Sequence, residues 1–113
     1  MLKHVAYFGI EMDKDFVSLS SAEMDTISKN VEMTDFTTLR EFRGNCNASV
    51  LLRFMENQMR SRKIQTAYTI ARAISPAMNI TFGKAGYTYG GRLINNTNIA
   101  GQIESMNVWY KKL

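Results

Sequence analysis

The sequence has few of the residues that cross-link a small fold or hold a metal ion. Its 113 residues include one cysteine, Cys46, one histidine, His4, and one proline, Pro76. A lone cysteine excludes an intramolecular disulfide, and with a single histidine it leaves no ligand set typical of zinc. The same shortage excludes a pair of histidines in acid–base catalysis and gives Cys46 no neighbouring base. We therefore predict no metal, no cofactor and no catalytic residues.

Long apolar runs are also absent. No stretch approaches the roughly 18 apolar residues that a membrane-spanning helix needs. Glu11, Asp13 and Asp15 directly follow the short apolar N-terminus, which is unlike a signal peptide. With 45% apolar and 21% charged residues, the composition predicts one compact domain over residues 1–113. We expect a cytoplasmic protein without a membrane partner, since a chain with one cysteine suits a reducing compartment.

Acidic residues are almost missing from the second half of the chain. Up to Asn57, six lysines and arginines stand against nine acidic residues, a net charge of −3. From Gln58 onward, eight basic residues stand against Glu104 alone, a net charge of +7 that brings the total to +4. This asymmetry predicts an anionic partner for the second half, or a homodimer in which unlike halves meet.

What the sequence does have is a strongly amphipathic centre that begins at Asn47. Apolar residues recur there at intervals of three and four, which places them on one buried face of a helix. They are Ala48, Leu51, Leu52, Met55 and Met59. A second, charged stripe is expected to face water or a partner. Its members are Arg53, Glu56, Arg60 and Lys63.

The residues just before Pro76 fit two interpretations. Several alanines favour a helix, which we predict to continue to Ser75 after a break near residues 63–65. Alternation of apolar residues along Gln65–Ser75 also fits a strand. We favour the helix, because proline supplies a stop directly after it.

The remaining elements are predicted from local spacing and turn residues. A capping-box pattern at Ser20 and Glu23 predicts a helix over residues 21–31, and a short second helix is predicted over residues 34–44. Strands are predicted over residues 5–10, 16–19, 80–82, 87–89 and 103–112, with a glycine turn at 83–86 and a loop at 95–101.

Strand-rich ends around a helical middle predict an α+β fold. We expect the helices to pack on one face of a small antiparallel sheet. In chain order this fold has N-terminal strands, a helical middle, and a C-terminal hairpin followed by a last strand.

Two glycine-containing segments, Gly83-Lys84 and Gly90-Gly91-Arg92, border the predicted C-terminal hairpin. Neither has the order of a phosphate-binding P-loop, so turn geometry is their first explanation. Between them, Tyr87 and Tyr89 fall on one face of a strand that has cations at both ends. Single-stranded nucleic acids bind such surfaces, since bases stack on rings and cations follow the backbone. The alternative is that both rings pack on the helices.

Of three functional hypotheses, the sequence favours a non-enzymatic protein-binding module. A short chain rich in Asn and Met and nearly free of proline resembles in style many small phage-encoded inhibitors and adaptors, without sharing a motif with them. Such a module would dock through its basic second half on a larger, acidic-surfaced protein. The alternatives are a nucleic-acid-binding module and a small enzyme without a recognisable motif. The predicted binding residues are Arg53, Arg60, Arg62, Lys63, Lys84, Tyr87, Tyr89, Arg92, Trp109 and Lys111.

Overall fold

A computed structural model describes residues 3–12, 14–39, 47–99 and 102–113. These residues divide between two compact units, one comprising residues 1–67 with 112–113 and the other residues 68–111, which we call the first and the second unit. The elements in chain order are β1 (Lys3–Met12), β2 (Asp15–Asp25), β3 (Asn30–Thr38), α1 (Asn47–Ser61), β4 (Thr66–Arg72), α2 (Pro76–Lys84), β5 (Thr88–Ile99) and β6 (Gln102–Lys112).

The first unit contains an antiparallel sheet in which β2 lies between β1 and β3. Lys14 and Lys29 occupy the turns with left-handed backbone angles, φ being 70° and 58°. In the second turn, Asp25 Oδ1 accepts hydrogen bonds from the amides of Ile27 and Ser28, both of 3.1 Å. A carboxylate that binds the amides just after it stabilises a turn locally. The predicted N-terminal hairpin is therefore present, with longer strands than expected.

One face of this sheet packs against α1. Ser20 Oγ on β2 donates a hydrogen bond of 3.0 Å to Met55 Sδ, and the rings of Phe8 and Phe54 meet edge to face with centroids 5.9 Å apart. The predicted apolar face of α1 is buried except at Ala48, which is partly exposed. None of Leu51, Leu52, Met55 and Met59 is more than 2% exposed. Full burial of such a side chain contributes about 1.5–3 kcal/mol. This face is therefore the core of the first unit.

The helix predicted over residues 21–31 is wrong. Residues 21–25 continue strand β2, and the Ser20 hydroxyl binds Met55 instead of capping a helix. Met24 is buried at 2% exposure, whereas Ile27, which shares its helical spacing, lies in the turn and is 81% exposed. Burial on a sheet has overridden a local capping pattern, because the core contacts outweigh one cap.

Two further predictions for the first unit are corrected. Residues 34–38, predicted to start a short helix, belong to β3, and residues 40–46 lie outside the described residues. Glu56, predicted on the exposed stripe of α1, is 4% exposed. The helix ends close to the predicted break near residues 63–65, since α1 ends at Ser61 and Lys63 has a left-handed φ of 64°, but a strand and not a second helical segment follows.

In the second unit, β6 lies between β4 and β5. The favoured helix over residues 65–75 is wrong, because Thr66–Arg72 forms β4. Buried and more exposed residues alternate along this strand, and the buried ones are Ala67, Thr69 and Ala71. The helix propensity of alanine is worth less than 1 kcal/mol per residue, so burial in a sheet decides the conformation here.

Pro76 begins a helix instead of ending one. It occupies the first turn of α2, where its missing N–H has no intrahelical partner to lose. The strand predicted over residues 80–82 is therefore wrong, and Phe82 on α2 is buried with its ring 5.0 Å from that of Tyr87. The predicted turn at 83–86 becomes the end of this helix, where Gly86 has a φ of 91°.

The last two strands form an antiparallel hairpin. The predicted strand over residues 103–112 is confirmed as β6, whereas β5 extends to Ile99 through most of the predicted loop. The fold class is confirmed as mixed α+β, with more sheet and fewer helices than predicted. None of the helices formed by the described residues is both long and apolar enough to span a bilayer.

Candidate functional site

A hydrogen-bonded cluster of polar and aromatic side chains joins α2, β5 and β6 in the second unit. At its centre, Asn79 Nδ2 on α2 donates to the carbonyl oxygens of Arg72 at 2.9 Å and Ser75 at 2.7 Å. Its Oδ1 accepts from Asn107 Nδ2 at 3.0 Å and from Trp109 Nε1 at 2.9 Å. Both donors and both acceptor positions of the amide are used, which fixes its orientation.

Asn107 extends this network toward β5. It is buried, with 7% exposure, and lies directly opposite Arg92 in the β5–β6 ladder. Its Oδ1 accepts from the Tyr89 hydroxyl at 3.2 Å and, through a longer contact of 3.4 Å, from Arg92 Nε. The Tyr89 ring also packs edge to face on Trp109, with centroids 5.3 Å apart. We call Asn79, Asn107, Tyr89, Arg92 and Trp109 the asparagine cluster.

A β-bulge brings Tyr89 and Arg92 to the same partner. Tyr89 pairs with Trp109, but the next residue pair is Gly91 with Val108, so Gly90 is an extra residue in β5. Residues three apart in a regular strand point to opposite faces, and one inserted residue returns the second to the face of the first. The Gly90-Gly91 pair, predicted to border a hairpin with its turn at residues 83–86, thus serves the geometry of this cluster.

The backbone of Gly91 favours glycine, and a side chain at Gly90 would have close neighbours. Gly91 has a φ of 132°, a conformation that L side chains rarely adopt. A Cβ atom on Gly90 would lie 3.3 Å from Tyr110 Cδ1 and 3.4 Å from the Val108 carbonyl oxygen, which is tighter than most real contacts. Larger residues are therefore expected to alter the direction of Arg92.

The second unit holds one acidic residue, Glu104, and Arg72 binds it through both oxygens. Arg72 Nε donates to Oε1 at 2.7 Å and Nη2 to Oε2 at 2.6 Å, while Glu104 is only 6% exposed. These hydrogen bonds, together with the charge of Glu104, raise the pKa of Arg72 above its ordinary value against a smaller lowering by burial. The guanidinium stays protonated, and both oxygens of this carboxylate accept from Arg72.

Two glutamates that local sequence patterns do not relate are cross-strand neighbours in the first unit. Glu23 on β2 and Glu32 on β3 are directly opposite in the antiparallel ladder, and both are partly exposed. Like charges in directly opposite positions are unfavourable in an antiparallel sheet. Glu23 had been assigned to a helix N-terminus, so this pairing depends on the corrected strand register.

No group of three described histidine, cysteine or acidic residues could hold a metal ion.

The predicted binding residues of the first unit lie on and just after α1. Arg53 and Arg60 are exposed, and Arg60 Nη1 donates to Asn57 Oδ1 at 3.0 Å. Arg62 and Lys63 follow the helix and are also exposed, with Arg62 Nη1 3.8 Å from Met24 Sδ.

Six of the predicted residues fall in the second unit, where they do not form one stacking surface. Tyr87 is 5% exposed and packs on Phe82, so its ring is not open to a base. Lys111 Nζ donates to the Ala85 carbonyl at 2.7 Å and lies 5.6 Å from the centroid of the Tyr87 ring. Lys84 is exposed at the end of α2. Tyr89, Arg92 and Trp109 belong to the asparagine cluster. Asn79 and Asn107 were not predicted from the sequence, because an isolated asparagine has no diagnostic spacing.

Curated proteins similar to this chain are acetyltransferases. The chain is 50% identical over 111 residues to the β-lysine N6-acetyltransferase of Methanococcus maripaludis, covering 98% of this chain and 40% of that protein. It is 39% identical over 113 residues to the β-lysine N6-acetyltransferase of Methanosarcina mazei, covering 100% of this chain and 42% of that protein. The N-acetyltransferase YodP of Bacillus subtilis is 39% identical over 109 residues, which cover 96% of this chain and 39% of YodP. The chain thus spans about two-fifths of the length of these relatives, and no protein-family model matches it.

Solved acetyltransferases share the fold. A chimera of the spermidine N-acetyltransferase SpeG from Vibrio cholerae matches with a TM-score of 0.86 and 17% identity, over 96% of this chain and 69% of that chain. The ribosomal-protein-S18-alanine N-acetyltransferase of Escherichia coli matches with a TM-score of 0.84 and 10% identity, over 96% of this chain and 68% of that chain. At these identities the likeness concerns the fold, which is GNAT-like.

These comparisons overturn the functional hypothesis that the sequence favoured. A non-enzymatic binding module of phage type is wrong, because the similar curated proteins are named as enzymes. The predicted partners, a larger acidic-surfaced protein or a nucleic acid, are not supported either. The sequence has no recognisable metal-ligand set, nucleophile–base pair or acid–base pair, but the absence of these features does not exclude an enzyme.

Proposed function

We propose that this chain belongs to an enzyme that transfers an acetyl group to a primary amine of a small cationic amino acid, with β-lysine as the first candidate. The observation that carries this proposal is the 50% identity with a β-lysine N6-acetyltransferase across 98% of the chain. A second protein of the same name is 39% identical across the whole chain, which supports the same substrate class. The aligned region includes α1 and the asparagine cluster.

Acetyl-CoA, the donor we propose, supplies an acetyl group activated as a thioester. The neutral acceptor amine attacks the carbonyl carbon, the C–N bond forms as the C–S bond breaks, and one proton passes from the nitrogen to the departing thiolate, which leaves as a thiol. No metal or protein nucleophile is required, since direct transfer depends mainly on holding the two reactants in the right geometry. This chemistry suits a chain with one cysteine and one histidine.

The start of α1 fits a phosphate-bearing donor. The first turn of this 15-residue helix contains no acidic residue. Helix N-termini present unpaired amides and a partial positive charge, and both favour bound phosphate. Asn47, Ala48 and Ser49 are the described residues that would contribute there.

The test is a direct acetylation assay. The purified chain is incubated with acetyl-CoA and β-lysine, and the product is identified by mass spectrometry, with fragmentation to locate the acetyl group. We expect a singly acetylated product that carries the group on N6, and no product when N6-acetyl-β-lysine is the acceptor. Failure to acetylate β-lysine, lysine or a diamine, by protein whose circular dichroism shows it to be folded, would contradict the proposal.

A further inference from the structure

We propose that Arg92 binds the carboxylate of the acceptor amino acid, and that this contact makes the enzyme prefer an amino acid to a diamine of the same shape. The inference rests on the proposed function, because it assigns a specificity role within that reaction. It begins from the asparagine cluster, whose exposed end is the guanidinium of Arg92. No catalytic step is assigned to this residue.

The charge of the second unit favours an anionic ligand at Arg92. Within residues 68–111 the sequence has four basic residues and one acidic residue, Glu104. Both carboxylate oxygens of Glu104 accept hydrogen bonds from Arg72 at 2.7 and 2.6 Å. The second unit therefore has no other carboxylate of its own to neutralise Arg92. An exposed arginine in this situation favours an anion from solution.

The orientation of the Arg92 guanidinium suits a carboxylate. Arg92 Nε is directed at the buried Asn107 Oδ1, and Asn107 is in turn fixed by Asn79. A guanidinium held through Nε presents its two terminal nitrogens as a planar fork, which matches the two oxygens of a carboxylate. The bulge at Gly90 supplies the direction, since it places Arg92 opposite Asn107 in the ladder. Such preorganisation lowers the entropic cost of binding a ligand.

The proposed acceptor has a carboxylate that the reaction does not use. The named acceptor of two relatives, β-lysine, carries two amines and one carboxylate. Acetylation uses one amine, so the carboxylate is free to act as a recognition group. The diamine 1,4-diaminopentane is β-lysine without its carboxylate, and it retains the amine that corresponds to N6. The two compounds therefore isolate the contribution of the carboxylate.

The experiment compares β-lysine and 1,4-diaminopentane as acceptors at saturating acetyl-CoA. Steady-state kinetics are measured for the unaltered protein and for Arg92→Ala, Arg92→Lys and Lys112→Ala. Lys112→Ala is the control, since it removes one exposed positive charge from a residue that is not among the predicted binding residues. Isothermal titration of each acceptor, without acetyl-CoA, gives a readout that does not depend on turnover.

We expect Arg92→Ala to raise the KM for β-lysine by about 10-fold or more, the effect of losing a charge-assisted hydrogen-bonded pair, with kcat little changed. Its kinetics with 1,4-diaminopentane should stay as they were, and titration should show the same selective loss. Arg92→Lys should lie between, because a point charge replaces the fork. Lys112→Ala should behave as the unaltered protein.

Other outcomes separate this inference from the proposed function. Equal effects of Arg92→Ala on both acceptors, or no effect on either, would overturn the carboxylate contact while leaving an acetyltransferase. Acetylation of the diamine but not of β-lysine would do the same. Acetylation of neither compound by the unaltered protein would contradict the proposed function, and the role of Arg92 would be overturned with it.

Discussion

Trp109 Nε1 donates a hydrogen bond of 2.9 Å to Asn79 Oδ1, and so connects β6 to α2 across 30 positions of sequence. An indole N–H that is removed from water needs an acceptor, and this one is the amide oxygen that also accepts from Asn107. The two donors hold Asn79 so that its own N–H groups reach the carbonyls of Arg72 and Ser75. One side chain thus ties together the end of β4, the start of α2 and the middle of β6.

Replacement of Asn79 by alanine is expected to destabilise the protein. The substitution removes the oxygen that accepts from Trp109 Nε1 and Asn107 Nδ2. Loss of this acceptor is expected to lower the free energy of unfolding by about 1–3 kcal/mol for each partly buried donor. The free energy of unfolding, measured by urea denaturation, should fall accordingly. Ile80→Ala is the control, since Ile80 is the next residue of α2 and is 54% exposed, and its effect should stay within about 0.5 kcal/mol. Equal effects of the two variants would contradict the role assigned to Asn79.

The ion pair of Arg72 and Glu104 predicts an order of stabilities. Arg72→Ala leaves the buried carboxylate without its guanidinium, whereas Glu104→Gln removes the charge and leaves one acceptor for Arg72. Thermal unfolding should therefore show the larger decrease in Tm for Arg72→Ala, with Arg72→Lys between it and the unaltered protein. A Tm for Glu104→Gln below that of Arg72→Ala would contradict this order.

This ion pair is not expected to respond to pH through Arg72. The pKa of Arg72 is raised in the fold, so its stabilising effect is fully present below its unfolded value and is lost only as pH rises through the still higher folded value. Between pH 6 and 9, roughly, the guanidinium remains charged in both states. The difference in Tm between the unaltered protein and Arg72→Lys should thus stay constant over this range.

Two glycines are expected to respond oppositely to alanine. Gly91 has a φ of 132°, so Gly91→Ala introduces backbone strain and should destabilise the protein by about 1–2 kcal/mol. Gly83 lies within α2, and a Cβ atom there would be 3.7 Å from Trp109 Cη2, an ordinary contact. Gly83→Ala should stabilise by about 0.5–1 kcal/mol, because alanine favours helix. Chemical denaturation of both variants under the same conditions measures the difference, and destabilisation by both would mean that the helix around Gly83 is described incorrectly.

The packing of α1 predicts a contrast along one helix. Met55 is fully buried against β2 and accepts a hydrogen bond from Ser20, so Met55→Ala should cost about 2–5 kcal/mol. Val50 on the same helix is 59% exposed, and Val50→Ala should change the unfolding free energy by no more than about 0.5 kcal/mol. Similar losses for both would show that the buried face of α1 had been assigned to the wrong stripe.

Several elements could be predicted from the sequence because their signals are local and long. The apolar stripe from Leu51 to Met59 covers more than two helical turns, so one period fits it much better than the other. The last strand and the N-terminal hairpin were similarly clear from alternation and turn residues. Short segments failed, as at residues 21–25 and 66–72, because a few apolar residues fit either period and tertiary burial then decides between them.

The amino-acid sequence by itself determined that this chain forms no intramolecular disulfide and has an amphipathic central helix, since composition and short-range spacing fix these properties. Only the tertiary structure decided that Asn79, Asn107, Trp109 and Arg92 belong together. Their partners lie 15 to 30 positions apart, and the bulge at Gly90 sets which face Arg92 takes. Hydrogen bonds of that range depend on strand register, and register is settled by the packing of the whole sheet.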